Sequence, residues 1–99
     1  MTQPKVVMYR TPYCAYCSMA ARLLSQERIE FEEIDVSGDR ERRRWLAAVS
    51  GQRTVPQIFI NGRSVGGFDE LSALVRRGEL PALLAAPPAP GSAPFAPGR

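Results

Sequence analysis

The sequence predicts an α/β fold in which helices flank a four-stranded mixed sheet, with the element order β-α-β-α-β-β-α. Two strand-like runs, at about 5–9 and 29–36, enclose a helical pattern, and strands joined by such a crossover are parallel. Two later strand-like runs, at 54–60 and 63–67, meet at the dipeptide Asn61-Gly62, which favours a two-residue antiparallel hairpin. A sheet that contains both kinds of pairing is therefore mixed.

Hydrophobic spacing predicts the elements of the first half. The run KVVMY at 5–9 is apolar almost throughout, which indicates a buried strand. A helix follows from Ala15 to Glu27, because Met19, Leu23 and Leu24 recur at helical spacing. The run IEFEEIDV at 29–36 alternates with one interruption, and it predicts a second strand with an acidic outer side.

Capping residues predict the elements of the second half. Ser37 or Asp39 is placed to cap a helix over about 39–50, and Gly51 fits its end. A further helix opens at Asp69 and runs to about Arg77, and a shorter one covers about 79–86. The apolar side of the 39–50 helix carries Trp45, Leu46 and Val49.

Length and composition limit the domain organisation. A chain of 99 residues is enough for one domain with its own core, which we assign to residues 1–86. The remainder, residues 87–99, is rich in proline, alanine and glycine. Such a composition cannot bury enough apolar surface to order itself, so we predict a disordered C-terminal tail.

Charge and hydropathy argue against several classes of function. The net charge is +3, and much of the positive charge lies in DRERRRW at 39–45, interleaved with acids. That pattern indicates a solvated helix face, without the aromatic residues or motif that nucleic-acid binding would require. No apolar run is long enough for a membrane span or a signal peptide. We therefore expect a cytoplasmic protein without nucleic-acid or membrane partners.

The two cysteines, Cys14 and Cys17, lie two residues apart at the start of the first predicted helix, in a chain without histidine. A structural zinc site needs four ligands, which one such chain cannot supply. A structural disulfide closing so short a loop gains little stability, and a reducing compartment opposes it. Redox catalysis and an iron–sulfur cluster shared between two chains remain.

Position favours redox chemistry at Cys14. Unpaired backbone N–H groups and the positive end of the helix dipole stabilise an anion at a helix start. The thiolate is the attacking species in thiol–disulfide exchange, and Cys17 lies one turn further on, within reach of a disulfide. Arg10 is the nearest cation in the sequence.

Three separate blocks, YCAYC, TVPQIFING and GGFDEL, occur in this order, and together they resemble a glutaredoxin of the small bacterial dithiol type. The resemblance covers about residues 4–85. It implies the thioredoxin fold and a glutathione-dependent thiol–disulfide oxidoreductase that reduces protein–glutathione mixed disulfides and protein disulfides. It also implies a monomer that uses glutathione as a co-substrate, without a permanently bound cofactor or metal.

The resemblance assigns roles to individual residues. It makes Cys14 the nucleophile and Cys17 the resolving thiol, and it implies a cis peptide bond between Val55 and Pro56. The backbone of Val55 would pair with the cysteinyl part of glutathione, while Asp69 would meet its γ-glutamyl end besides serving as a helix cap. The glutathione-binding residues implied in this way are Tyr16, Thr54, Val55, Pro56, Gly67, Phe68 and Asp69, and Arg10 and Arg53 are added as candidate cations.

Departures from the family pattern keep alternatives open. Ala15 stands where many relatives have proline, and Thr11 and Gln52 stand where lysine and arginine are common. Arg10 and Arg53 are adjacent to the latter two positions and are candidates to replace those charges. The change at Ala15 favours one alternative, a dimer holding a glutathione-ligated [2Fe–2S] cluster. A thioredoxin-like donor that does not use glutathione is a third hypothesis, and the GGFD block argues against it.

Overall fold

A computed structural model describes residues 4–87, so the predicted tail lies outside the described residues apart from Pro87. The sheet has four strands in the spatial order β2-β1-β3-β4. β1 pairs with β2 in parallel and with β3 antiparallel, and β3 and β4 form an antiparallel hairpin. The predicted fold class is confirmed. The elements are β1 (Val6–Arg10), α1 (Ala15–Gln26), β2 (Glu32–Asp35), α2 (Arg40–Ser50), β3 (Gln57–Ile60), β4 (Arg63–Gly66), α3 (Phe68–Arg77) and α4 (Leu80–Ala85).

The sheet is covered on both faces, and β1 contributes to both cores. Val6 and Met8 point to one face, where they join the cluster built with α1, α3 and α4. Val7 and Tyr9 point to the other face, where they meet Leu46 of α2. Because successive side chains of a strand alternate between faces, a strand buried on both sides must be apolar at every position. That requirement explains the unbroken apolar run VVMY at 6–9.

Two apolar residues that helical spacing placed on buried faces are exposed instead. Met19 is 45% exposed and Val49 is 46% exposed. The buried stripe of α1 runs through Cys17, Ala20 and Leu24, and Met19 lies about 100° round the helix from Ala20. Val49 lies in the last turn of α2, whose buried residue is Leu46.

The second strand is shorter than predicted. It covers Glu32–Asp35, so Ile29 and Phe31 precede it and pack against the cluster formed with α1 and α3. Ile34 and the buried Val36 belong to the cluster on the α2 face. The interruption in the alternation therefore marks the place where the chain changes from one face of the sheet to the other.

The caps of α2 match the prediction, but the cap of α3 does not. Asp39 accepts the N–H of Arg42 at 2.9 Å, and Gly51 ends α2 in the left-handed conformation with φ 75°. The N-cap of α3 is Gly67, and the predicted cap Asp69 lies inside the first turn of the helix. Glu70 instead accepts the N–H of Gly67 at 2.6 Å, so a carboxylate three residues after the cap supplies the bond.

One buried side chain, that of Asn61, connects the hairpin turn to the residue before β1 and to the end of α4. Asn61 and Gly62 have φ angles of 51° and 82°, as a two-residue hairpin turn of this kind requires. The Asn61 side chain is 8% exposed and accepts the N–H of Lys5 at 2.9 Å. Its amide group also donates to three carbonyls at the C-terminal end of α4. These are the carbonyls of Leu83, Leu84 and Ala86, at 3.1, 3.2 and 2.9 Å.

We predict that Asn61→Gly destabilises the protein by about 2–4 kcal/mol, because it removes several buried hydrogen bonds and leaves their partners without them. Glycine keeps the positive φ of the turn, so the loss reports the side chain rather than backbone strain. Urea unfolding measures the effect, and Ser64→Ala on the exposed side of the same hairpin is the control. A loss below about 0.5 kcal/mol, the range of ordinary surface substitutions, would contradict the prediction.

Candidate active site

Cys14 is both the N-cap of α1 and the accessible thiol of the pair. Its backbone is extended, with φ −116° and ψ 112°, and its Sγ accepts the N–H of Cys17 at 3.1 Å. A side-chain acceptor in this position satisfies one of the unpaired N–H groups of the first turn. The bond is stronger for a thiolate than for a thiol, because a charged acceptor strengthens a hydrogen bond. The first turn of α1 therefore begins at the sulfur of Cys14.

Cys17 lies one turn further into α1 in a different environment. It is completely buried, whereas Cys14 is partly exposed, and both thiols are free. Burial raises the pKa of Cys17 from 9.0 to about 11, and its hydrogen bond with Cys14 acts in the same direction. A hydrogen bond from the backbone of Thr11 opposes the shift. At neutral pH Cys17 is therefore a protonated thiol, while Cys14 is the sulfur that a second molecule can reach.

The loop before β3 faces the cysteine pair. The peptide bond between Val55 and Pro56 is cis, which confirms the expectation from the family resemblance. The thiol of Cys14 donates to the carbonyl oxygen of Val55 at 3.6 Å, across 41 residues of sequence. This contact places the backbone of Val55 directly beside the accessible sulfur of Cys14.

A buried glutamine, which sequence reasoning missed, holds that loop in place. Gln57 is 0% exposed, and its Nε2 donates to Oε1 of Gln52 at 2.8 Å and to the carbonyl of Thr54 at 3.0 Å. Gln52, which is itself exposed, therefore supports the loop through its bond to Gln57. A polar residue at the start of an otherwise apolar strand was the available signal, since buried polar groups need partners.

The turn between β4 and α3 completes the site. Gly67 lies so close to the loop that a Cβ built on it would be 3.2 Å from the carbonyl oxygen of Pro56. Gly66 has φ 114°, and a Cβ there would be 2.7 Å from Oε1 of Glu70. On the other side, the rings of Tyr16 and Phe68 are 6.3 Å apart. The first turns of α1 and α3 and the cis-proline loop therefore meet around Cys14.

The predicted polar residues fall into different surroundings. Arg10 is held by Glu33, with Nη1 and Oε2 2.9 Å apart, and its Nη2 donates to Ser18 at 3.5 Å. Arg53 is exposed, and it lines a pocket of about 430 Å³ together with Arg43, Arg44 and Ala47. Thr54, before the cis peptide bond, and Asp69, in the first turn of α3, are exposed.

The chain supplies few donor atoms for an iron–sulfur cluster. Among residues 4–87, no three His, Cys, Asp or Glu side chains are grouped as metal ligands. An iron–sulfur cluster takes four thiolate ligands, and the burial of Cys17 leaves Cys14 as the one cysteine of the chain that is partly exposed. The residues of one chain therefore do not fit a cluster. Within the same range, no helix is both long and apolar enough to cross a membrane.

Comparison with known proteins agrees with this geometry. The family model described as Glutaredoxin matches residues 6–65. A glutaredoxin of Pseudomonas aeruginosa is 48% identical over 83 residues, which cover 84% of this chain and 99% of the relative. Glutaredoxin 3 of Escherichia coli K12 is 42% identical over 79 residues, which cover 80% of this chain and 95% of that protein.

Solved structures give the same result. The solution structure of a glutaredoxin from Brucella melitensis is 43% identical, covers 85% of this chain and 91% of its own, and has a TM-score of 0.76. The crystal structure of a buckwheat glutaredoxin–glutathione complex is 32% identical, covers 80% and 74%, and has a TM-score of 0.74. The chain belongs to the glutaredoxin family and is a thiol–disulfide oxidoreductase with a thioredoxin fold.

Proposed function

We propose that the protein uses glutathione to reduce protein–glutathione mixed disulfides and protein disulfides, with Cys14 as nucleophile and Cys17 as resolving thiol. The observation that carries the proposal is the partly exposed sulfur of Cys14, which lies 3.6 Å from the carbonyl of Val55. A cysteinyl residue paired on that backbone would bring its own sulfur to Cys14, as in the addition of a strand to a sheet edge. The complex of the buckwheat relative with glutathione supports the choice of this ligand.

The monothiol reaction needs Cys14 alone. Its thiolate attacks the glutathione sulfur of a mixed disulfide, a new S–S bond forms, and the protein thiolate leaves with the electron pair and takes a proton from water. The thiolate of a second glutathione then attacks the glutathione sulfur bound to Cys14. Glutathione disulfide leaves, and the Cys14 thiolate is restored to its position at the N-terminus of α1, where the Cys17 N–H stabilises it.

The dithiol reaction adds Cys17. After Cys14 has attacked a protein disulfide, Cys17 must lose its proton and attack Sγ of Cys14, which closes the intramolecular disulfide and releases the substrate thiolate. Cys17 lies one helical turn from Cys14, and this position suits it to the step. Its raised pKa disfavours the step, because the thiol must lose its proton first. A buried resolving thiol also avoids exchange with disulfides in solution.

The remaining predicted residues would hold glutathione by its charged ends. The N–H of Phe68 and the carboxylate of Asp69 lie in the first turn of α3, next to Gly67, and suit the carboxylate and amino group of the γ-glutamyl end. Tyr16 would flank the sulfur and Thr54 would lie along the peptide. For the glycine carboxylate we favour Arg53 over Arg10, because Arg10 is already paired with Glu33.

We predict that Cys14→Ser abolishes turnover of glutathione mixed disulfides, because the reactive thiolate is lost. Cys17→Ser should keep most of that activity and lose reduction of protein disulfides, which requires the second thiol. An assay coupled to glutathione and glutathione reductase measures the first reaction, and insulin reduction measures the second. Mixed-disulfide turnover above background in Cys14→Ser would show that another group is the nucleophile.

Asp69→Asn and Arg53→Gln should each raise the KM for glutathione about three- to tenfold with a smaller change in kcat, because each removes one charge that meets the ligand. Asparagine keeps the size of Asp69, and Arg76→Gln removes a comparable exposed charge from the other end of α3. KM values from the coupled assay test both variants. A KM within twofold of the wild-type value would assign that residue no role in glutathione binding.

The raised pKa of Cys17 predicts a loss of stability in alkali. Below pH 9 the folded and unfolded chains both keep the Cys17 proton, so this thiol does not change the free energy of unfolding as the pH varies. Between about pH 9 and 11 the unfolded chain releases the proton first, so stability falls as the pH rises. Urea unfolding under reducing conditions should show wild type losing stability relative to Cys17→Ala from pH 8.5 to 10.5. A difference between the two proteins that is constant over this range would disprove the shift.

A further inference from the structure

Three arginines line one pocket beside the cis-proline loop. Arg43 and Arg44 belong to α2 and Arg53 belongs to the loop before β3, and the pocket between them has a volume of about 430 Å³. Ala47 is the fourth lining residue, and its methyl group fills little of this space. Nη2 of Arg43 donates to the carbonyl of Arg53 at 3.5 Å, which connects the helix to the loop. Every charged side chain that lines the pocket is therefore a cation.

The charges of this pocket are not neutralised from within the domain. Among residues 4–87, none of the three arginines forms an ion pair with an acidic side chain. Arg44 and Arg53 are exposed, and Arg43 is partly exposed, so a second molecule can reach all three. Like charges around one cavity repel each other, and an anion that enters the cavity relieves this repulsion. The pocket is therefore suited to a ligand that carries carboxylates or another anionic group.

The loop that contributes Arg53 also lies beside Cys14. Arg53 is two residues before Val55, whose carbonyl is 3.6 Å from the sulfur of Cys14. Two residues of extended chain span about 7 Å, so a short peptide segment reaches from this sulfur to the pocket. Gln57 holds the loop between them through its bond to the carbonyl of Thr54 at 3.0 Å. The pocket and the sulfur therefore keep a fixed relation to each other.

We propose that the pocket lined by Arg43, Arg44 and Arg53 is a docking site for acidic residues that follow the target cysteine in a disulfide-bonded protein substrate. The inference rests on the proposed function, in which Cys14 attacks the substrate and Arg53 meets the glycine carboxylate of glutathione. Glutathione ends at that glycine, so it brings one carboxylate to a pocket with three guanidinium groups. Arg43 and Arg44 are left for a chain that continues further, as a protein substrate does.

The direction of the substrate chain decides which of its residues reach the pocket. Glycine follows cysteine in glutathione, so with the glycine at Arg53, residues after a target cysteine run from Cys14 towards the pocket. An extended chain advances about 3.3 Å per residue, so the second residue after the cysteine lies level with Arg53. The third and fourth residues extend further, to Arg43 and Arg44 of α2. Aspartate or glutamate at these positions pairs well with a guanidinium group.

The opposite end of the site carries the opposite charge. The first turn of α3 contains Asp69 and Glu70, next to the cap residue Gly67. Residues before the target cysteine run towards this end, where acidic side chains are repelled. The site is therefore basic where the substrate chain continues after its cysteine and acidic where the chain arrives before it. Such a charge distribution selects both the composition of a substrate segment and its direction.

Three peptides of equal length test the proposal. Each carries one cysteine in a mixed disulfide with thiopyridine. The Cys14 thiolate attacks the peptide sulfur, a new S–S bond forms, and the pyridine thiolate leaves and takes a proton to give thiopyridone, which is followed by its absorbance. The first peptide has glutamate at the third and fourth positions after its cysteine, the second has glutamine there, and the third has the two glutamates at the same distances before its cysteine.

The third peptide separates docking from general attraction to a cationic protein, because it has the same net charge as the first. Glutathione is absent from this reaction. A failure here therefore leaves the glutathione dependence to be decided by the coupled assay, and Cys14→Ser gives the background release of thiopyridone.

At low salt we expect the wild-type protein to react about fivefold faster with the first peptide than with the second, the size expected of two exposed ion pairs. The rate for the third peptide should stay within twofold of that for the second. About 0.5 M NaCl should bring the preference for the first peptide below twofold, because salt screens exposed charges.

The double variant Arg43→Gln/Arg44→Gln should lose the preference and keep its rate with the glutamine peptide within twofold. The control Arg76→Gln/Arg77→Gln removes the same charge from the last turn of α3 and should keep the preference. Turnover of a small glutathione mixed disulfide should stay within twofold in both variants, because glutathione does not extend to Arg43 and Arg44.

Arg44→Gln alone keeps the test decisive if the double variant does not fold. Arg43 supports the loop through its bond to the carbonyl of Arg53, whereas the Arg44 side chain makes no hydrogen bond or ion pair within residues 4–87. This variant should reduce the preference to about half of its wild-type value. A wild-type preference below twofold, an equal gain for the third peptide, or a preference that survives the loss of Arg44 unchanged would overturn the proposal. Equal peptide rates together with binding of inorganic phosphate or RNA would overturn it in favour of a phosphate ligand.

Discussion

The burial of β1 on both faces is the constraint on which the rest of the structure depends. Val6–Tyr9 are all buried, and β1 pairs with β2 on one side and β3 on the other. A strand fixed in this way has one register and one direction. The turn after Arg10 therefore delivers Cys14 and α1 to a defined place at the end of the sheet. The cis-proline loop enters the neighbouring strand β3 at the same end, so the sheet itself brings the two halves of the site together.

The two cysteines share a helical turn and yet have opposite surroundings. Cys14 lies at the cap, where an N–H donor is available and the sulfur is partly exposed. Cys17 lies on the buried stripe of α1 with Ala20 and Leu24, where desolvation disfavours a charge. The helical repeat places the fourth residue of CxxC one turn inside the first, so the spacing that allows a disulfide also separates an exposed thiol from a buried one. This separation supports the proposed order of attack, in which Cys14 acts before Cys17.

Much of the architecture could be predicted because its signals are local. An unbroken apolar run identified β1, and the dipeptide Asn61-Gly62 identified the hairpin, whose two positive φ angles few other residues accept. The cap at Asp39 was equally local, since its acceptor bonds an N–H three residues away. The meeting of the cysteine pair with the cis-proline loop came from the family resemblance, because no local rule relates residues 14 and 55.

The features that sequence reasoning missed depend on contacts between distant segments. The pairing of Arg10 with Glu33 spans 23 residues, and the bonds from Asn61 to α4 span 22 to 25 residues. Such contacts exist only after the sheet has brought their elements together. The predicted N-cap of α3, Asp69, was wrong in part because the true cap, Gly67, faces the distant residue Pro56. The prediction required the cap residue to carry its own acceptor, whereas Gly67 leaves room beside the Pro56 carbonyl and Glu70 supplies the carboxylate.

Burial of Cys17 sets a requirement that the geometry of the cysteine pair has to meet. A thiol with a pKa of about 11 is ionised in about one molecule in ten thousand at pH 7, since each unit above the pH lowers the thiolate fraction about tenfold. The intramolecular attack tolerates so small a fraction because the target sulfur is one helical turn away, where effective concentrations are very high.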